Sequence, residues 1–212
     1  MKSKNYGKLT AWLIAAWFVF ALTASALHAF RSQSSLPSPL FLLAALGPII
    51  VFFLWYASSG GFRQYALSLN PRTLTMAHSW RTVGFTFIAL YVYGILPGLF
   101  ALPAGWGDIA MGLTAGWAAS RLANPDHRTS FIVWQTLGIA DLVLALTLGG
   151  TAGLVSPEGP TMAPMTALPL SLIPTFGVPM LLILHVICIA QARRWPARTH
   201  APMGQPVPSS AA

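Results

Sequence analysis

The stretch SFIVWQTLGIADLVLALTLG, residues 130–149, decides how this chain folds. It is a run of 20 residues with one ionisable side chain, Asp141. As a helix rising 1.5 Å per residue it measures about 30 Å, the thickness of a bilayer's hydrocarbon core. The rest of the 212 residues repeats the pattern: 55% are hydrophobic and 8% charged. With a mean hydropathy of +0.65, too few charges remain to solvate a globular surface. The solvent around this chain is lipid.

Further apolar runs cover Leu9–Phe30, Leu40–Tyr56, Thr82–Ala101, Asp108–Leu122 and Leu168–Ala190. Together with residues 130–149 they predict an all-α integral membrane bundle of about six transmembrane helices. The segment Phe62–Trp80 carries Arg63, Arg72, His78 and Trp80 among Leu and Met. It is too polar to span, and reads as an interfacial amphipathic helix at the headgroup level, broken at Asn70-Pro71. Residues 1–194 form one transmembrane domain, and 195–212, rich in Pro, Ala and Ser, a disordered cytoplasmic tail. A signal peptide cut after Ala24-Ser25-Ala26 competes for the first run. Its bulky Trp12, Trp17, Phe18 and Phe20, and its continuation past Ala26, favour a permanent anchor.

Charge sets the orientation. Of the twelve basic residues, Arg31 alone falls on one side of this layout, and eleven fall on the other, near the termini and in the even-numbered loops. Short cytoplasmic loops retain Lys and Arg, so both termini are expected in the cytoplasm, and general usage points to a bacterial inner membrane. The net charge of +8 is therefore a topology signal. Nucleic acid is not an expected partner, because no basic stripe forms on a polar helix. The single cysteine, Cys188, excludes an intrachain disulfide, and no zinc-spaced or CxxCH pattern occurs.

Two pairs of segments carry a resemblance. They are Ser79-Trp80-Arg81-Thr82-Val83-Gly84-Phe85 with Leu96-Pro97-Gly98 through Gly107-Asp108, and Leu137-Gly138-Ile139-Ala140-Asp141-Leu142 with Leu168-Pro169 through Thr175-Phe176. They resemble an uncharacterised family of small bacterial multi-pass inner-membrane proteins. The resemblance implies a shared fold and brings no activity, cofactor or catalytic residue with it.

Asp141 lies near mid-membrane, where an acid costs on the order of 2.5 to 3.5 kcal/mol. Its neighbours at helical spacing, Gly138, Ala145 and Gly149, are small, so the acid points into the bundle. It is a candidate proton or cation site, or else a protonated acid that ties helices together. Asp108 is a second ion or proton candidate. Following Gly105-Trp106-Gly107, it also reads as the cap that opens its helix. Below it, Gly112 and Gly116 form a GxxxG pattern that permits close helix contact, and through it a homo- or hetero-oligomer.

Pro97, Pro169, Pro174 and Pro179 are candidate helix breaks, which free carbonyls that must face protein or water. They suggest a polar cavity open to the outer side, framed by the last four spans. His78 and His185 are the histidines placed to ligate one haem; otherwise His185 packs or hydrogen-bonds between helices. Arg81, after Trp80, reads as an interfacial anchor reaching lipid phosphates. No hydrolase elbow, HExxH, P-loop or dinucleotide fingerprint occurs, and with four acidic residues an enzyme is not expected. The functions left are a small transporter or carrier, or an assembly partner for a membrane complex. The alternative is a b-haem- or quinone-associated redox subunit.

Overall fold

The computed structural model describes residues 3–32, 37–155 and 159–196. Among these residues it is built of helices and turns without strands. The α-helices are α1 Ser3–Ala26, α2 Pro39–Ser58, α3 Gly60–Ser68, α4 Pro71–Met76, α5 Gly84–Val92, α6 Gly98–Trp117, α7 Arg128–Val155 and α8 Val178–Ala192. A 3₁₀ helix, Ala77–Val83, joins α4 to α5, and π-helical turns at Ala118–Leu122 and Ile173–Gly177 close α6 and lead into α8. The tail expected to be disordered lies, from residue 197 on, outside the described residues.

Among the described residues four stretches are long and apolar enough to cross a membrane: Asn5–Ala26, Pro39–Ser58, Pro125–Ala152 and Ile173–Ala192. Large side chains such as Trp12, Leu54, Trp80, Val92 and Leu113 face outward. So much exposed apolar surface is foreign to soluble monomers and suits lipid.

The expected span Thr82–Ala101 is not one helix. α5 ends at Val92, the chain turns through Gly94 in the left-handed region (φ +68°), and α6 starts after Pro97. Pro97, in extended conformation, therefore marks a junction between helices and not a kink within one. Because α6 starts at Gly98, Asp108 lies in mid-helix and does not cap it.

Phe62–Trp80 is broken at Asn70-Pro71 as its sequence predicts, with Asn70 Oδ1 accepting from the Arg72 N–H at 2.9 Å. It does not simply lie on the surface, however. Phe62, Ala66, Thr75 and His78 are buried. Gln191 on α8 donates from Nε2 to the Leu67 and Leu69 carbonyls at 3.2 and 2.7 Å, tying the break to the bundle.

Pro174 sits inside the π turn before α8, and Pro179 in the first turn of α8. A helical Thr175 carbonyl would accept from residue 179, which as proline has no N–H to give. Trp17 of α1 donates to it from Nε1 instead, at 3.0 Å. The carbonyl left by the proline is thus met by protein, and α1 is fastened to α8.

A buried charge cluster at the floor of an apolar cavity

From Thr75 onward the chain buries every third residue: Thr75, His78, Arg81, Gly84 and Phe87. A 3₁₀ helix has three residues per turn, so side chains three apart eclipse one another. His78 and Arg81 therefore point into the bundle, while Trp80, next to Arg81, is 72% exposed. The same geometry takes Arg81 away from the lipid phosphates it was expected to reach. It is 1% exposed, among the largest side chains fully buried in the protein.

Arg81 holds both candidate acids. Its Nε donates to Asp108 Oδ1 on α6 at 2.7 Å, and its Nη2 is paired with Asp141 Oδ2 on α7. Nη1 donates to the Gly138 carbonyl at 3.3 Å and lies 3.5 Å from His185 Nε2 on α8. Glycines make the room. A Cβ on Gly84 would stand 2.6 Å from the Gly105 carbonyl oxygen and 2.7 Å from Asp108 Cβ. On Gly107 it would overlap the Asp141 carboxylate, and on Gly138 the His185 ring. Gly112 is close-packed within the chain: its Cβ would stand 2.5 Å from the Thr82 backbone nitrogen. Gly116, one turn on, meets nothing nearer than Met76 at 4.0 Å. Gly112, offered by the sequence as an oligomer contact, is already used inside the molecule.

A chain of donors leads away from Arg81. His185 Nδ1 is bonded to Gln135 Oε1, Gln135 Nε2 donates to Thr75 Oγ1 at 3.1 Å, and Thr75 Oγ1 donates to the Pro71 carbonyl at 2.8 Å. Since Gln135 Oε1 can only accept, Nδ1 carries the imidazole proton and Nε2 is left to accept from Arg81. Every bond then runs in one sense, from Arg81 to Pro71. An amide does not pass a proton as a hydroxyl or imidazole does, so the chain positions Arg81 and His185. Gln135 and Thr75 escaped the sequence reading, and a glutamine inside an apolar run and the three-residue stripe were the signals for them; Gly138 was read only as a small neighbour of Asp141, and Gly107 only as part of the turn before Asp108.

His78 and His185 do come together, with ring centroids 3.8 Å apart and planes 21° from parallel. A haem iron needs its two histidines on opposite faces of a macrocycle. Here the rings lie against each other, and His185 has both nitrogens engaged. The pair does not fit bis-histidine haem. No group of three or more His, Cys, Asp or Glu is arranged to hold a metal among the described residues.

On the other side of the cluster lies a cavity of about 1040 Å³. It was expected to be polar and framed by the last four spans. Its walls are instead largely apolar, including Phe41 and Leu46 of α2, Phe87, Phe100, Leu142 and Val178. Asp108 is the acidic residue of the lining, and Arg31, itself exposed, lies at the edge formed by the turn between α1 and α2. Asp141 is not part of the lining. The side chains of Asp108 and Asp141 keep 10% and 15% of their surface accessible, against 1% for Arg81.

One guanidinium thus faces two carboxylates where desolvation makes any unbalanced charge expensive. Balance requires one of the acids to hold a proton or to meet a further cation. The fold and this cluster define a helical membrane protein with one arginine and two acids paired in its interior. The chain belongs to the family described as a domain of unknown function, DUF8737, whose model matches residues 37–193. That range contains every residue of the cluster and leaves out α1. The chain matches no curated protein and no solved structure.

Proposed function

We propose that this protein is a small carrier of the bacterial inner membrane, in which Arg81, Asp108 and Asp141 load and release a proton or cation. It is not an enzyme in this reading. The observation that carries it is the charge imbalance of the cluster beside a cavity into which Asp108 opens. A purely structural ion pair needs one acid for one arginine. A second acid supplies a site that fills and empties, and intramembrane acids commonly serve such pathways.

Six spans with both termini cytoplasmic remain the topology that suits this role. The 3₁₀ helix with α5 forms one crossing and α6 the return, a hairpin held on its inner face by Arg81 and Asp108. With Arg81 buried, ten basic residues still fall on the cytoplasmic side against Arg31 on the other. The stacked His78 and His185 give the redox reading no support.

Infrared difference spectra of the purified protein at rising pH test the proposal. The expected result is a protonated-carboxyl band that disappears as pH rises in the wild type and is missing in Asp141→Asn, which leaves Asp108 as a matched partner for Arg81. A band that never titrates, or one unchanged in both Asp141→Asn and Asp108→Asn, would rule out an exchangeable proton at this cluster.

A further inference from the structure

We infer that the cavity takes a hydrophobic molecule carrying a single positive charge, whose charged group meets Asp108 and replaces the proton of the acid pair. The inference rests on the carrier reading and names its substrate class. Three features of the cavity argue for it. Its volume, about 1040 Å³, is at the upper end of that found for small-molecule sites, and its walls are apolar side chains of the kind that line them. A small hydrated ion would gain nothing from Phe41, Phe87, Phe100 and Leu142, whereas a ligand with an apolar body buries surface against all of them.

The floor then selects for charge. The Arg81 guanidinium is held by both carboxylates and by the Gly138 carbonyl, so it is not free to receive an anion. Asp108 keeps surface open toward the cavity. With both acids ionised the cluster carries one excess negative charge, which one cation neutralises. Arg31 at the edge is exposed, and water and salt screen it from a ligand seated deeper. The exchange balances: a monocation enters, one carboxyl gives up its proton to solvent, and the net charge of the site stays the same.

Gly150 allows a clean test of the cavity. It lines the cavity, and a Cβ built on it meets nothing within 4 Å, so Gly150→Leu adds bulk at the cavity wall without straining the fold. The probes are tetraphenylphosphonium and tetraphenylborate, which share shape and apolar area and differ in the sign of their charge. Binding is measured by equilibrium dialysis in weakly buffered detergent solution, with a pH electrode recording proton release.

The expected result is saturable phosphonium binding with release of about one proton per cation, and roughly tenfold or more weaker binding in Asp108→Asn and Gly150→Leu. Tetraphenylborate should not compete. Equal binding of the two probes, or phosphonium binding without proton release, overturns the inference. So does wild-type affinity in folded Gly150→Leu. A titrating carboxyl band without phosphonium binding would remove this substrate class while leaving the proton site in place, and absence of both would remove the carrier reading itself.

Discussion

α7 and the segment from Pro71 to Pro97 each bring part of the charge cluster to the same place by opposite means. α7 is regular over Arg128–Val155 and delivers Asp141, Gln135 and the Gly138 carbonyl by ordinary helical spacing. The other segment changes from α to 3₁₀ and back, and delivers Thr75, His78 and Arg81 by a three-residue repeat. A lone acid on a regular apolar helix has to find a partner. An arginine on a broken, mixed segment has an easy alternative in the headgroups, so its burial is the costlier choice and rests on the acids that receive it.

The most severe break in that arrangement is the double change of Asp108→Asn and Asp141→Asn. It leaves Arg81 buried with no carboxylate, and a guanidinium cannot shed its charge. Loss of the partners of a buried ion costs about 3 to 5 kcal/mol. The double variant should show a steep fall in thermal midpoint in detergent. Each single Asn variant keeps one matched pair and should stay near wild type. Strictly additive small effects would mean that the two acids do not share Arg81.

This asymmetry also explains what was legible in the sequence. The spans at α1, α2, α7 and α8 were readable because long apolar runs leave little choice of structure, and Asp141 because nothing else in residues 130–149 is charged. Asp108 was found but misplaced. Gly105 and Gly107 looked like the end of a loop, whereas they are interior positions of α6 kept free of side chains, the first for α5 and the second for Asp141. Arg81 was misread because it follows Trp80 at the start of an expected span, where an arginine ordinarily reaches the headgroups, whereas the three-residue winding turns it inward. Thr75, His78, Arg81 and Gly84 form no face of an α-helix, and nothing local announces that the chain will wind more tightly there. The cavity was expected from the prolines, but its apolar character comes from side chains of α2, α5, α6, α7 and α8 together, which no local pattern links.

A middle-sized effect separates the two glycines of the GxxxG pattern in α6, Gly112 and Gly116. Gly112→Leu forces side-chain bulk against the backbone of Arg81 and Thr82, which cannot yield without moving the cluster. Overpacking of this kind costs about 1 to 3 kcal/mol. Gly116→Leu meets only the flexible end of Met76 and should leave stability unchanged. Yield of folded protein and thermal midpoint compare them. Equal losses would mean that the whole GxxxG face is packed, as it would be against a second copy.

The smallest expected effect concerns α1. Trp17→Phe keeps the aromatic contact with Phe20 but removes the bond to the Thr175 carbonyl. Hydrogen bonds between membrane helices average about 0.6 kcal/mol, so the midpoint should fall slightly and phosphonium binding should persist. A large loss would show that α1, outside the family match, is needed to hold the π turn before α8 in place.

The order in which the charges leave the ribosome has a consequence for biogenesis. Arg81 is made first, Asp108 follows 27 residues later and Asp141 60 residues later. The chain from Ala77 to Val92 is short and carries an unneutralised guanidinium, so it is a poor substrate for insertion by itself. In the six-span topology proposed above, it would wait at the membrane surface, where its arginine can rest among phosphates, until α6 brings the first carboxylate and the two enter as a neutral hairpin. α7 then crosses with an acid whose partner is already in place.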